Sequence, residues 1–186
     1  MSITIGVFCG SSNGIAEAYR IAAKKTVAVI ADHNCSIVYG GGRTGLMGVI
    51  GHAAMADGVP ITGIMPDVLV DKELMKSDLM ETIRVGTMHE RKAAMADRSQ
   101  AFLALPGGIG TFEEILEQWT WSLIGIHAKP CAFLNVNGYF DPLLSMIEKM
   151  VSEGFLGQKY ADAVICGDDP EDVIFKLMHH HVPKAR

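Results

Sequence analysis

Ala101-Phe102-Leu103-Ala104-Leu105-Pro106-Gly107-Gly108-Ile109-Gly110-Thr111-Phe112-Glu113-Glu114 is the stretch on which the fold turns. Its first five residues are an unbroken apolar run, the pattern of a strand covered on both faces of a parallel sheet. The glycine loop after it opens an amphipathic helix, read as Thr111 to Ile124, with Phe112, Ile115, Leu116, Trp119 and Leu123 on one core-facing stripe. Strand, glycine loop and helix start together make an anion cradle: backbone N–H groups converge on one spot, and the glycines let a phosphate come close. Glu114 is placed in the first helical turn, beside that cradle. Thr111 with Glu114 also fits a capping box, in which the glutamate satisfies an orphan N–H, but a cap leaves the carboxylate next to the cradle, so the roles are compatible. A phosphate site with an acid/base beside it points to an enzyme acting on a phosphorylated small molecule.

Working outward, the same alternation repeats along the chain. Apolar runs predict strands at Ile3 to Phe8, Ser36 to Tyr39, Ile61 to Met65, Thr82 to Val85, Gln100 to Leu105, Cys131 to Leu134 and Ala163 to Ile165. Helical patterns fill the intervals: Gly14 to His33, Thr44 to Asp57, Thr87 to Arg98, Thr111 to Ile124, Asp141 to Glu153 and Pro170 to His180. Strand–helix alternation of this kind predicts an α/β fold, a single Rossmann-like doubly wound domain with a mostly parallel sheet, covering 1–186. The segment Pro66 to Glu81 is the least regular and is a candidate for substrate-binding residues.

In such a sheet ligands bind where strand carboxyl ends feed the next helices. Four features fall there: Gly10-Ser11-Ser12, the loop Gly40 to Gly48 (with Gly41, Gly42 and Arg43), Met88-His89-Glu90-Arg91-Lys92, and the Pro106 motif. Gly10, Ser11, Gly41, Gly42 and Arg43 are therefore candidate nucleotide-loop residues. The Gly40 loop matches a dinucleotide fingerprint only loosely, because the acidic residue expected about 20 positions on is unconvincing. Arg91 shares a helix face with Met88, Lys92 and Met95, while Glu90 and Asp97 lie opposite. Such a cation is a local ion-pair partner or, with the cradle nearby, a ligand group. Trp121 projects from the polar side of its helix, the position of a subunit contact or a ligand stack.

At 186 residues the chain can bury a sizeable core, and a formal net charge of −5 without any basic run argues against nucleic acid as a partner. No apolar stretch reaches the roughly 18–20 residues of a membrane span, and the N-terminus lacks a signal-peptide pattern. The expected location is cytoplasmic. Cys9, Cys35, Cys131 and Cys166 are scattered, with no C-x-x-C pair, and read as reduced apolar residues rather than metal ligands. His179-His180-His181 cannot all face one ion from a helix, so no metal is expected there.

These motifs resemble the LONELY GUY (LOG) family of cytokinin riboside 5′-monophosphate phosphoribohydrolases, once labelled lysine decarboxylases. P-G-G-x-G-T-x-x-E is complete at Pro106 to Glu114, M-H-x-R-K at Met88 to Lys92, and G-G-G-x-x-G-L-M-G at Gly40 to Gly48. The similarity continues through Trp119-Thr120-Trp121, Gly125-Ile126-His127 and Leu134 to Phe140. The resemblance implies a homodimer with active sites near the interface. It also implies hydrolysis of the N-glycosidic bond of N6-substituted adenosine 5′-monophosphates or AMP, giving free base and ribose 5-phosphate, with no cofactor or metal. By matched position it implies Arg91 and Glu114 as the catalytic pair. Glu73, Lys92, Gly108, Ile109, Gly110, Thr111, Phe112, Glu113, Glu114 and Thr120 would bind substrate. The rival expectation is a non-catalytic nucleotide or cofactor carrier on the same fold.

Overall fold

The computed structural model describes residues 2–73, 81–180 and 182; of residues 71–73 only the backbone is described. Seven strands form one sheet: β1 (Thr4–Phe8), β2 (Ser36–Tyr39), β3 (Ile61–Pro66), β4 (Glu81–Val85), β5 (Ala101–Ala104), β6 (Cys131–Leu134) and β7 (Ile165–Gly167). Their order is β4-β3-β2-β1-β5-β6-β7, and every neighbouring pair is parallel. The helices are α1 (Glu17–Asp32), α2 (Gly45–Ala56), α3 (Asp67–Glu73), α4 (Met88–Arg98), α5 (Ile109–Leu123), α6 (Asp141–Ser152), α7 (Gln158–Ala161) and α8 (Pro170–His179).

Alternation along the central strands divides the core in two. Ile5 and Val7 of β1, with Ala101 and Leu103 of β5, pack on one side under Val27, Ile50 and Ile174 of α1, α2 and α8. Phe8, Phe102 and Ala104 pack on the other with Met95, Ile115, Trp119 and Ile147 of α4, α5 and α6. Burial on both faces accounts for the continuous apolar runs, since each side chain of β5 meets a helix whichever way it points. The expected doubly wound α/β architecture is therefore present.

Boundaries differ in instructive places. α1 starts at Glu17 rather than Gly14, because Gly14 has φ +69°, outside the helical region. Part of the segment expected to be irregular forms α3, and β7 lies two residues later than expected, set by pairing with Ala132 to Leu134. α5 starts at Ile109, two residues before the expected Thr111, so Thr111 and Glu114 do not form the capping box. Gly108, in extended backbone, precedes the helix with no side-chain cap. The capping interactions occur instead at α4, where Thr87 accepts from the Glu90 N–H at 3.1 Å and the Glu90 carboxylate accepts from the Gly86 N–H at 2.7 Å.

The strand order reverses direction between β1 and β5, which makes their carboxyl ends the switch point of the sheet. The loops leaving these two strands are joined by a hydrogen bond from the Gly10 N–H to Pro106 O, 3.1 Å.

Candidate active site

The cradle forms from the start of α5. With Gly108 as the residue before the helix, the N–H groups of Ile109, Gly110 and Thr111 have no acceptor one turn back inside it. Their free ends and the positive end of the helix dipole face the switch point. Gly107 is held from behind by the Tyr139 hydroxyl, which donates to its carbonyl at 2.5 Å. A side chain on Gly107 would collide with Thr111 Oγ1 and would come within 2.8 Å of the Gly10 nitrogen. The two glycines thus allow the loops after β1 and β5 to lie against each other.

Beside the cradle is a pocket of about 310 Å³, bordered by Gly10 and Ser11 after β1, by Gly108 to Thr111, and by Arg91 and Glu114. Its apolar wall is Cys9, Met47 and Met88. The size suits a small-molecule site. A second lobe of about 270 Å³ shares Gly10, Ser11 and Gly108 and runs to Tyr19 and Tyr139, whose rings meet edge to face at 5.8 Å. A larger groove of about 810 Å³ lies between α1 and α2; it shares Asn13 with the second lobe and is not lined by Arg91 or Glu114.

Arg91 and Glu114, brought from α4 and α5, face each other across the pocket with Nη2 and Oε1 3.8 Å apart. Only 9% and 13% of their side chains are exposed. Burial raises the Glu114 carboxyl above the ordinary carboxylate range, against the opposing pull of the Arg91 charge. Cys9 is pushed far up by burial and by the nearby Glu114, so it remains a thiol and forms part of the wall. Among the described residues no group of His, Cys, Asp and Glu could hold a metal ion.

Other residues singled out in the sequence take different places. Lys92 is buried, and its ammonium donates to Glu113 and, at 2.9 Å, to Glu117. Burial disfavours its charge, but the two carboxylate hydrogen bonds outweigh that and raise its pKa. Lys92 and Glu113 therefore join α4 to α5 outside the pocket lining. Phe112 packs on Phe140 at 5.6 Å as part of the core, and the exposed Thr120 donates to Leu116 O at 2.7 Å on the outer face of α5. Gly41 and Gly42 are buried and do not line the pocket, and Arg43 borders the α1/α2 groove. The side chain of Glu73 lies outside the described residues. Trp121 is half-buried against its own chain, 6.4 Å from His127. The sequence did not single out Met47, which lines the pocket because its N–H is tied to Gly10 O at 3.2 Å. Its place in the Gly40 to Gly48 loop was the available signal.

A doubly wound sheet with an anion cradle and a buried Arg–Glu pair at its switch point defines a Rossmann-like protein with a candidate small-molecule site. The chain belongs to the LOG family. The family model described as "Possible lysine decarboxylase" matches residues 47–177. The chain is 43% identical over 97% of its length, and 84% of the relative's, to cytokinin riboside 5′-monophosphate phosphoribohydrolase LOG2 of Arabidopsis thaliana. It is 41% identical over 97% of its length, and 74% of the relative's, to phosphoribohydrolase LOG of Oryza sativa subsp. japonica. Solved structures share the fold at lower identity. The molybdenum cofactor binding protein of Rippkaea orientalis has a TM-score of 0.71 at 21% identity, covering 96% of each chain. The molybdenum cofactor carrier protein of Chlamydomonas reinhardtii has 0.69 at 20%, covering 96% of this chain and 99% of that one.

Proposed function

We propose that this protein hydrolyses the N-glycosidic bond of purine nucleoside 5′-monophosphates, with cytokinin ribotides and AMP as the substrate class. The observation that carries this reading is the Arg91–Glu114 pair beside the cradle. The relatives' names, at more than 40% identity over nearly the whole chain, supply the reaction.

In this reading the 5′-phosphate sits on the free N–H groups at the start of α5, which places the ribose toward Glu114 and the base against Met47 and Met88. Phosphate binding contributes remote binding energy and fixes the sugar's orientation. Cleavage passes through an oxocarbenium-like state. The Glu114 carboxylate stabilises the positive charge growing on the anomeric carbon and takes the proton of the attacking water. The C1′–N bond breaks with its electron pair leaving on the base, which takes up a proton, and ribose 5-phosphate remains. The Arg91 charge favours the ionised form of Glu114, against the burial that raises its carboxyl.

A lysine decarboxylase, the activity named in the family description, is disfavoured by the state of Lys92, the lysine next to Arg91 on α4. Lys92 is doubly bound to carboxylates and held charged, which removes the free amine that a Schiff-base lysine must supply. The carrier reading shares the cradle but gives no role to the buried acid–base pair.

The protein is further proposed to act as one domain, in the cytoplasm, as a homodimer. Ile109, at the pocket, and Ile124 and Ile126, beyond the far end of α5, are largely exposed, which supports apolar contacts along this helix. Among the described residues no helix is long and apolar enough to cross a membrane. The testing experiment is chromatographic detection of base release from AMP and from isopentenyladenosine monophosphate, with adenosine as the unphosphorylated control. Release from a monophosphate but not from adenosine supports the reading. Binding without release from either monophosphate moves the protein to the carrier class.

A further inference from the structure

The guanidinium of Arg91 is seated by shape more than by hydrogen bonds. It stands 3.8 Å from Glu114 Oε1 and 3.9 Å from Met88 Sδ, and its Nε is buried with no hydrogen-bond partner among the described residues. Backbone geometry fixes only its root, where the Arg91 N–H donates to Thr87 O at 3.1 Å in the first turn of α4. What lies against the tip is Gly40, the buried residue directly after β2. A Cβ at Gly40 would overlap Arg91 Nη2, and would stand 3.2 Å from both Arg91 Cζ and Met47 Sδ. The Gly40 backbone is not among those with positive φ, so its conformation does not itself require glycine. The steric requirement comes from the arginine.

We propose that Gly40 is a positioning residue for the reaction: its missing side chain is the slot that holds the Arg91 guanidinium beside Glu114. The inference rests on Arg91 and Glu114 being the reacting pair. The first glycine of the Gly40 to Gly48 loop then serves the protein's own arginine and makes no nucleotide contact. The three atoms nearest a methyl group there are all at the far ends of two flexible side chains, Arg91 and Met47, so the chain can fold with the guanidinium displaced. The groups acting on Glu114 are Arg91 and Lys92 from α4, Glu113 and Glu117 from α5, and Cys9 next to β1. Of these, only Arg91 is touched by the change at position 40.

The test compares Gly40→Ala, Arg91→Gln and the double variant, with Gly42→Ala as a control. The three atoms nearest a side chain at Gly42 all belong to Met47, the closest being its Cε at 2.8 Å. Folding is checked by thermal melting, the reaction by kcat and KM, and Glu114 by carbon NMR titration of its carboxyl, which needs no substrate. Gly40→Ala is expected to lower kcat by about 10- to 100-fold with little change in KM, and to raise the Glu114 titration midpoint. In the Arg91→Gln background the same alanine should cost less than about twofold, because a shorter side chain no longer reaches the slot. Gly42→Ala should leave the Glu114 titration in place. An unshifted Glu114 midpoint in Gly40→Ala overturns the proposal. So does an equal loss with and without Arg91, which would place the effect on Met47 or the fold. If the wild-type protein releases no base, the functional reading fails, and the titration cycle still decides the slot.

Discussion

Nη2 of Arg91 stands 3.8 Å from Oε1 of Glu114, with both side chains close to nine-tenths buried. That separation exceeds a hydrogen bond, so the two groups act on each other through charge. Burial alone would drive Glu114 toward its neutral form; the arginine opposes this without occupying the carboxylate's lone pairs.

Glu114→Gln removes the carboxylate while keeping the shape of the site. Turnover should fall by about 10²–10⁴-fold, and the affinity for ribose 5-phosphate, held by the backbone of the cradle, should remain. Base release measured alongside calorimetric binding of ribose 5-phosphate separates the two effects.

Arg91→Gln should move the acidic limb of the kcat profile upward in pH. The reaction uses ionised Glu114, and loss of the opposing cation lets burial raise its carboxyl further. A limb that stays in place or moves down would show that Arg91 does not hold the glutamate's charge.

Lys92→Met should destabilise the fold by about 2–3 kcal/mol, somewhat less than the ~3–5 kcal/mol of a fully buried broken pair, because Glu113 is half exposed. The remaining Glu117 carboxylate, whose Oε2 is buried with no hydrogen-bond partner among the described residues, would lose its cation. Adding Glu117→Met should restore part of the loss in urea denaturation; an additive loss would exclude the coupling.

His127 should make the protein less stable as pH falls below about 6.5. Burial first, then the charge of Lys129, lowers its pKa to about 4. Its Nδ1 accepts from the Lys129 N–H at 3.2 Å, leaving Nε2–H to donate to Gln118 Oε1 at 3.3 Å. The unfolded chain therefore binds the proton first, so this contribution is complete above the unfolded value and is lost as pH drops toward 4. For a half-buried ring it amounts to about 1–2 kcal/mol, and His127→Gln should flatten the pH dependence of the denaturation midpoint by that much.

Much of this protein was determined locally. Unbroken apolar runs are what strands covered on both faces require, so the parallel α/β class and the core residues of β1, β5 and β6 were legible. The face of α4 that carries Arg91, Lys92 and Met95 also followed from helical period alone. Three things waited for the tertiary structure. The start of α5 was misread because Gly108 ends the loop through backbone conformation and offers no capping side chain. The ion pairs of Lys92 were hidden too, because nothing local shows that Glu113 and Glu117, on another helix, reach it. That Gly40 lies against the tip of Arg91 depends on an arginine that arrives from a helix two strands later. Local sequence carries periodicity, which sets burial and element type. Which side chains meet is set by the order of strands in the sheet, and that order is fixed only when the whole chain packs.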